Sequence, residues 1–453
     1  MSITGLRVFD PTRCETFRFL GHVYEPETAT ATLSYALDDD FHFQEIIRLP
    51  QGAEPPSGER AEALDRVLAL LALVAGVSYY KAAVPPKLEV PAPLSPDTVR
   101  MLNALYTLGL GEFAYRNSLD GPVRASFDTF AGSSASTTLR LQGGRGSLVP
   151  IGGGKDSILA LQTARSAGPT ALFSVGERAP ITRTAEVSGL EHLVAERTIS
   201  PLLLQLNGEG ALNGHVPVTA IVSLIALASA ILHGYDRVVM ANERSASQGN
   251  LDWGGIEVNH QWSKGIEFED LLRATLASEG IAGLDYFSLL RGAGELAIAR
   301  AFAALPEYHQ AFMSCNSAFR LSDAADSWCC DCPKCRFVFL ALAPFIEPSR
   351  LVEIFGVDLL DQEHQIPGFM ALCGFQADKP FECVGEHEES LAALRLLADS
   401  PAWRDHTVIK HARQTLLARA PAGAGIPERL MGLDEPHHVP QTLLEALRAR
   451  LRA

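Results

Sequence analysis

The sequence has few positive charges for its length. Its 453 residues include 38 lysines and arginines against 53 aspartates and glutamates, which gives a formal net charge of −15 at pH 7. A surface of that sign repels phosphate backbones and argues against broad nucleic-acid binding. Hydrophobic residues make up 47% of the chain and charged residues 20%, which is typical of a globular protein and not of a disordered one.

Signals for secretion and for membrane insertion are also missing. Residues 1–12 lack the basic stretch followed by an apolar stretch that marks a secretory signal. The apolar run from Ile221 to Leu232 is shorter than the ~20 residues that a membrane helix needs. It is followed by Asp236-Arg237 and then by the short apolar stretch 238–240, a helix-then-strand order typical of a buried α/β unit. We therefore expect a cytoplasmic protein that does not bind membranes.

Cysteine is scarce and unevenly placed. Of eight cysteines, five lie between Cys315 and Cys335. In a chain without a secretory signal, such a cluster favours a metal site over disulfides. Cys329, Cys332 and Cys335 form two overlapping C-x-x-C steps, and Cys315 can complete a tetrahedron, which predicts a structural zinc site. The alternatives are an iron–sulfur cluster, unliganded thiols, or Cys330 in place of a neighbouring ligand.

The order of apolar and turn-forming residues predicts an α/β protein with three regions. Residues 1–145 combine a β-rich stretch with two helices, Arg60 to Tyr80 and one that begins at Ser95-Pro96. Residues 146–345 alternate between strand and helix, which predicts a mostly parallel sheet with helices on both faces. Residues 346–453 are expected to be mostly helical.

The clearest chemical motif is a glycine-rich loop, Gly152-Gly153-Gly154-Lys155-Asp156-Ser157, between a predicted strand and a predicted helix. Glycines let the backbone approach an anion closely, and the N–H groups at a helix start point towards it. A Walker A loop is excluded because it needs glycine in place of Val149 and serine or threonine in place of Asp156. No glycine follows Gly154 at the dinucleotide-binding spacing. The stretch Gly292-Ala293-Gly294 follows no predicted strand and is interpreted as helix packing.

The loop resembles the Ser-Gly-Gly-x-Asp-Ser signature of the PP-loop ATP pyrophosphatases, a Rossmann-like superfamily. It includes tRNA-thiolating enzymes, amidating synthetases and 7-cyano-7-deazaguanine synthase. Gly153, Gly154, Asp156 and Ser157 match the signature, whereas Gly152 stands where the family has serine. The resemblance implies that ATP is split into AMP and pyrophosphate while a substrate oxygen is adenylylated.

The same resemblance implies positions for ATP and Mg²⁺. Lys155 would face the phosphates, Asp156 would face magnesium, and Ser157 would complete the catalytic part of the loop. Ser174, at the end of the next strand, matches the place where such folds bind adenosine. Asn242-Glu243 directly follows another predicted strand, and ligands of open α/β sheets collect at such strand ends. The cysteine cluster is similar to the zinc site of the 7-cyano-7-deazaguanine synthases.

Over its whole length, the sequence resembles the bacterial epimerases of UDP-N-acetylmuramoyl-L-alanyl-L-glutamate. The likeness covers the N-terminal region, the glycine-rich loop, the cysteine cluster, and the stretches Asn213 to Pro217, Asn242-Glu243 and Lys379 to Glu386. In that family, the terminal L-Glu of a peptidoglycan precursor is inverted to D-Glu at the expense of ATP. The resemblance implies a UDP-muramoyl dipeptide as substrate and a functional link to the ligase that adds L-Glu.

An acyl-adenylate gives this inversion a chemical route, because its carbonyl can accept the charge left when the α-proton departs. The step needs an acid and a base on opposite faces, with pKa values near neutrality. Cys383 and His260 are the candidates, since thiols and imidazoles titrate near that range, and Glu382 and Glu386 are alternatives. Competing functions are another PP-loop enzyme, such as an amide ligase or nitrile synthase, and a non-catalytic nucleotide-binding module.

Overall fold

The computed structural model describes residues 9–52, 54–128, 137–142, 144–319, 327–375, 381–419, 427–434 and 436–452. The strands in these ranges are β1 Thr16–Glu25, β2 Thr30–Leu37, β3 Phe41–Arg48, β4 Lys87–Glu89, β5 Leu139–Arg140, β6 Ser147–Pro150, β7 Thr170–Val175, β8 His192–Thr198, β9 Arg237–Met240, β10 Leu251–Trp253, β11 Ile256–Val258, β12 Ile281–Ala282 and β13 Asp285–Ser288. The α-helices are α1 Glu59–Ala75, α2 Val77–Tyr80, α3 Pro96–Thr107, α4 Gly111–Arg116, α5 Lys155–Ala167, α6 Ala179–Ser188, α7 Pro201–Gly208, α8 Val218–His233, α9 Ile266–Ser278, α10 Glu295–Ala303, α11 Pro333–Leu342, α12 Pro348–Phe355, α13 Ile366–Leu372, α14 His387–Asp399, α15 Thr407–Thr415, α16 Glu428–Met431 and α17 Gln441–Arg452.

The chain folds into two compact units, each built from three segments. The first unit comprises Met1–Leu148, Leu193–Val238 and Asp252–Tyr286. The second unit comprises Val149–His192, Val239–Leu251 and Phe287–Ala453. Each unit therefore combines parts of the chain that are far apart in sequence.

The sheet of the first unit has the strand order β8-β3-β2-β1-β4. Its strands pair antiparallel except for the parallel pair of β1 and β4. Strand β3 shows why this stretch forms a sheet, because Phe41, Phe43 and Ile47 are buried while His42 and Gln44 between them are exposed. This alternation places one apolar face against the core. The predicted β-rich N-terminal stretch is confirmed.

Aromatic rings fill the core between this sheet and the neighbouring helices. The ring of Tyr35 lies 4.9 Å from Tyr79 and 5.8 Å from Phe17, measured between centroids. A Cβ atom at Gly76 would collide with the ring of Phe19, so the chain needs glycine where α1 gives way to α2. The single helix predicted from Arg60 to Tyr80 is therefore two helices. The predicted start of α3 is confirmed, since the Ser95 hydroxyl accepts a hydrogen bond from the helix start.

The apolar run that could suggest a membrane segment is the buried helix α8 of the first unit. Every residue from Ala220 to His233 is buried except Val222, which is half-buried. Helices α1 and α8 pack together within that unit. None of the helices in the described ranges is long and apolar enough to cross a membrane.

The second unit contains the end of β6 and the glycine-rich loop. The strand order around it is β13-β9-β6-β7, and β6 and β9 are parallel. Helix α5 follows the loop and packs against α10 and α17 over a large apolar core. The predicted strands and helices around the loop are present, and the fold is mixed α/β as expected.

A buried ion pair joins β3 to β8 in the first unit. The carboxylate of Glu45 is fully buried and accepts two hydrogen bonds from Arg197, at 2.7 Å from Nε and 3.2 Å from Nη2. The same strand pair carries an exposed ion pair of Arg48 with Glu196, at 3.1 Å. The two pairs share one strand pairing and differ mainly in burial.

Substitution of Glu45 with alanine should strongly destabilise the first unit, because Arg197 would keep a mostly buried charge without its partner. We expect the free energy of unfolding to fall by about 3–5 kcal/mol. Glu196→Ala is the matched control and should change it far less, since exposed ion pairs contribute little. Urea unfolding followed by circular dichroism measures both variants. Equal losses would show that burial of the Glu45 pair does not matter.

Candidate active site

The three glycines of the loop occupy different environments. Gly153 has φ +75°, and a Cβ atom there would lie 2.7 Å from the backbone of Pro180. A Cβ at Gly154 would lie 2.7 Å from the Ser314 hydroxyl, whereas one at Gly152 would meet no atom within 4 Å. Gly153 is therefore required by the backbone, and the serine of the PP-loop signature would fit at Gly152.

Helix α5 begins at Lys155, directly after the three glycines of the loop, and no side chain caps this end. The first backbone hydrogen bond at this end runs from the N–H of Ile158 to the carbonyl of Gly154, at 3.2 Å. The Ser157 hydroxyl donates to the same carbonyl, at 3.0 Å. The N–H groups of residues 155–157 precede that first bond, as at every helix start. Such an end, approached through glycines, suits a bound anion.

Lys155 is buried between two carboxylates. Its ammonium group, with the side chain only 1% exposed, forms ion pairs with Asp156 and Glu295. Burial lowers the pKa of Lys155, but the charges of Asp156 and Glu295 outweigh it, and the pKa lies above its ordinary value. Burial raises the pKa of the Glu295 carboxyl, and the Lys155 ammonium opposes that effect. Lys155 is therefore paired with both carboxylates, and its place at the phosphates stays a prediction.

Glu295 stands at the start of α10, in a place that the sequence interpretation missed. Strand β13 ends six residues before Gly294, so the expectation that this glycine pair follows no strand is wrong. A Cβ at Gly294 would lie 2.7 Å from Glu389 and 3.0 Å from Arg244. Glycine is needed there because side chains from two other segments meet the helix start.

Glu389 links the starts of two helices. Its carboxylate accepts hydrogen bonds from the backbone N–H groups of Glu295, at 2.6 Å, and Glu386, at 3.0 Å. The second bond belongs to a capping box at the start of α14. Burial raises the pKa of Glu389 to about 7. Arg244 donates to Glu386 at 3.2 Å and lies 3.5 Å from Glu389.

The polar residues at the strand ends are buried and bonded. After β9, the amide of Asn242 donates to the Ser288 hydroxyl at 3.0 Å, and the Glu243 carboxylate accepts from Ser245 at 2.8 Å. In β7, the Ser174 hydroxyl donates to the Gly176 carbonyl at 2.9 Å. All the predicted ATP-binding residues belong to the second unit.

The four predicted cysteine ligands converge in the second unit. The sulfur atoms of Cys315, Cys329, Cys332 and Cys335 all lie within 4.8 Å of one another. The sulfur atoms of Cys329 and Cys335 are 3.6 Å apart, close to the ~3.8 Å edge of a tetrahedron with zinc–sulfur bonds of about 2.3 Å. Cys330 has φ +57°, and its thiol donates to the Phe355 carbonyl at 3.3 Å, so it faces away from the cluster.

The turn of the cysteine cluster also contacts the segment that carries Cys383. The backbone N–H of Lys334 donates to Glu382 at 3.1 Å, and its ammonium group donates to the Cys383 carbonyl. Cys383 is half-buried, and Glu386 is buried in the capping box of α14. Residues 379–380 of this predicted stretch lie outside the described ranges.

His260 belongs to the first unit and is surrounded by residues that the sequence interpretation did not join to it. Its Nδ1 contacts Glu112, whose carboxylate also lies 3.8 Å from Nδ1 of His215. Burial and the neighbouring His260 lower the pKa of His215 to about 4. Burial raises the pKa of Glu112, but the hydrogen bond and charge of His260, together with His215 and Arg116, outweigh it, and the pKa is lowered.

Two family models cover most of the chain. The model described as the MurL N-terminal domain matches residues 8–289, and the model described as the MurL C-terminal domain matches residues 311–425. Curated relatives extend nearly end to end. A protein of a Micromonospora strain is 48% identical over 96% of this chain and 98% of its own length, and it is named UDP-N-acetyl-alpha-D-muramoyl-L-alanyl-L-glutamate epimerase.

Two more relatives carry the same name. The protein of Salinispora tropica is 50% identical over 88% of both chains, and that of Xanthomonas oryzae pv. oryzae is 41% identical over 98% of this chain and 99% of its own. The chain belongs to the UDP-N-acetyl-alpha-D-muramoyl-L-alanyl-L-glutamate epimerase family. The family resemblance noted from the sequence is confirmed.

Some buried polar residues near the candidate site residues of this epimerase family member could not be recognised from the sequence and are identified by the fold. Each of them contacts a residue far away in sequence: 148 positions separate Glu112 from His260, 140 separate Glu295 from Lys155, and 94 separate Glu389 from Glu295. The only available signal was a charged residue inside an apolar segment, as in the Glu295 helix. The set comprises Glu112, Glu295 and Glu389.

Gly153→Ala should destabilise the second unit of this epimerase family member. A residue with Cβ costs about 1–2 kcal/mol in the left-handed region, and the collision with Pro180 adds to that loss in the free energy of unfolding. Gly152→Ala is the control and should unfold like the parent protein, because its Cβ meets open space. Thermal and urea unfolding measure both. Parent-like stability of Gly153→Ala would contradict this account of the loop.

Proposed function

We propose that this chain inverts the terminal L-Glu of UDP-N-acetylmuramoyl-L-alanyl-L-glutamate to D-Glu during peptidoglycan-precursor synthesis, and that it splits ATP into AMP and pyrophosphate. The names of the three relatives support the inversion. The observation that carries the ATP-dependent route is the glycine-rich loop, which opens a helix next to the Asp156 and Glu295 carboxylates.

The reaction needs activation because a carboxylate holds its α-proton tightly. In the proposed route, a substrate carboxylate oxygen attacks the α-phosphorus of ATP, and pyrophosphate leaves. The resulting acyl-adenylate can lose the α-proton, because its carbonyl oxygen accepts the charge as an enolate. Reprotonation on the opposite face inverts the centre, and water then cleaves the acyl–phosphate bond to give D-Glu and AMP.

The loop and the start of α5 supply the groups for the phosphates. Backbone N–H groups approach an anion there because Gly152 leaves open space and Gly153 shapes the turn. Ser174, Asn242 and Glu243 are proposed to line the nucleoside side, as the PP-loop resemblance implies.

The carboxylates beside the loop fit a magnesium ion. Asp156, Glu295 and the nearby Glu243 offer the oxygen atoms that this ion prefers. When bound, Mg²⁺ would offset the charge that develops on the departing pyrophosphate. Lys155 has a different task, since its ammonium group keeps two carboxylates together in a buried place.

Cys383 is the proposed proton-transfer group of the second unit. It is half-buried, and its backbone is held through the Lys334 ammonium group. A thiol titrates close enough to neutrality to exchange a proton with a carbon acid. The four clustered cysteines are proposed to hold a structural zinc ion that fixes the turn carrying Lys334.

Asp156→Ala should lower ATP-dependent turnover by several powers of ten, because a fixed charge beside the reacting phosphates is lost. The control is Asp405→Ala, which removes an exposed carboxylate of the same unit and should leave turnover unchanged. Pyrophosphate release is measured with the L,L and the L,D substrate in turn. Parent-like rates with normal magnesium dependence in Asp156→Ala would assign the loop a purely structural role.

Turnover in D₂O should place deuterium at the α-carbon of the terminal glutamate, and only when ATP is present. An amide ligase would consume ATP without this exchange, and a binding module would do neither. Cys383→Ala should slow the exchange far more than it slows adenylylation, which is followed by pyrophosphate–ATP exchange. The control is Cys373→Ala, a half-buried thiol of the same unit. Equal losses in both assays for Cys383→Ala would make that thiol structural.

A further inference from the structure

Two imidazoles and a carboxylate meet in the first unit, and nothing in the proposed ATP chemistry uses them together. Glu112 lies on α4, His215 precedes α8, and His260 follows β11. One donor atom from each residue lies within 4.8 Å of the other two. The two imidazole rings are 4.5 Å apart between centroids, with an interplanar angle of 40°.

The arrangement is compact enough for a single metal ion. In a tetrahedral site with bonds of about 2.0–2.1 Å, neighbouring donor atoms lie about 3.3–3.4 Å apart. Nδ1 of His215 is 3.8 Å from the Glu112 oxygen, and Nδ1 of His260 is in direct contact with that oxygen. Since no donor atom is more than 4.8 Å from another, small side-chain shifts would bring the three to the spacing of such a site.

We propose that Glu112, His215 and His260 bind a divalent transition-metal ion of the Zn²⁺ class. Two imidazoles with one carboxylate are a recurrent ligand set of zinc sites that keep a fourth position for water or an anionic oxygen. The set also differs from the four thiols of the second unit, which leave no open position. One chain thus carries one all-sulfur site and one nitrogen–oxygen site.

The surrounding contacts orient the ligands, as outer-shell contacts do in metal sites. Arg116 donates to the other carboxylate oxygen of Glu112 at 2.6 Å, so a single oxygen faces the imidazoles. The segment before His215 is anchored at Asn213, whose side chain accepts from the buried Lys81 at 2.7 Å. The Asn213 carbonyl accepts from Asn117 at 3.0 Å.

Two positively charged side chains, Arg116 and Lys264, affect the electrostatics of this site. Arg116 is paired with Glu112, and the charge of Lys264 acts on His215. Both reduce the attraction for a dication, so affinity depends on the nitrogen donors more than on net charge. This favours a borderline metal such as zinc or cobalt over magnesium or calcium, which prefer oxygen ligands.

Metal coordination and the proton-transfer role predicted for His260 are alternatives, because an imidazole nitrogen bonded to a metal cannot accept a proton. The proposed route through Cys383 is the same whether His260 binds a metal ion or transfers a proton. Metal content therefore tests this inference without reference to turnover.

The experiment uses the full chain, stripped with a chelator, reloaded with Co²⁺ and desalted. Cobalt is counted by elemental analysis, and absorption spectra report thiolate-to-cobalt charge transfer. His215→Ala and Glu112→Gln should each hold one cobalt fewer than the parent chain, with the charge-transfer band unchanged. Cys332→Ser should lose that band and keep the other ion. His42→Ala, an exposed histidine of the same unit, is the control and should lose none.

The difference in cobalt content between parent and variant decides the outcome, because the thiol site contributes equally to both. A deficit of one cobalt in both His215→Ala and Glu112→Gln, with parent-like circular dichroism, supports the site. The same cobalt count in parent, His215→Ala and Glu112→Gln would overturn it and return His260 to the pool of proton-transfer groups.

Discussion

The buried ammonium group of Lys155 is the contact on which the candidate active site depends. The carboxylates of Asp156 and Glu295 lie close together and are largely shielded from solvent. The Lys155 ammonium group between them offsets their repulsion. Because Lys155 begins α5 and Glu295 begins α10, the Lys155–Glu295 ion pair joins the starts of the two helices. Without that cation, the two carboxylates would repel each other, and the ion pair between α5 and α10 would be lost.

The start of α10, which the Lys155–Glu295 ion pair joins to α5, is also bonded to α14 of the second unit. Its first N–H group is bonded to Glu389, which also closes the capping box of α14. Gly294 makes this possible, since any side chain there would collide with Glu389. The helix dipole favours a carboxylate near a helix start, so Glu389 stabilises the start of α10 and links it to the start of α14. The site is thus assembled from helix ends more than from helix faces.

Local rules were enough to predict some elements and not others. The Ser95 cap, the alternation in β3 and the strand–loop–helix around Gly154 follow from neighbouring residues, and the fold contains all three. The break at Gly76 depends on an aromatic ring from a distant strand, which no local pattern reveals. Glu295 was missed for the same reason, because its partner Lys155 lies 140 positions away. The four cysteines could be grouped from the sequence because three of them share one short turn, and their sulfur atoms do converge, whereas the metal that they would hold stays a prediction.

That turn connects the thiol cluster to the proposed proton-transfer group. Cys332 caps α11 by accepting a hydrogen bond from the Cys335 N–H, at 3.4 Å, so the thiols fix the direction of the first helical turn. Lys334 lies inside that turn and binds both Glu382 and the backbone of Cys383. A disturbance of the thiols therefore reaches Glu382 and Cys383 through Lys334. It also reaches the glycine-rich loop, because the Gly153 carbonyl accepts a hydrogen bond, at 2.8 Å, from the N–H of Met313, two residues before Cys315. On this geometry, the glycine-rich loop and the Cys383 segment share the thiol cluster as a common support within one unit, so loss of the cluster should affect both proposed steps, activation by ATP and transfer of the α-proton.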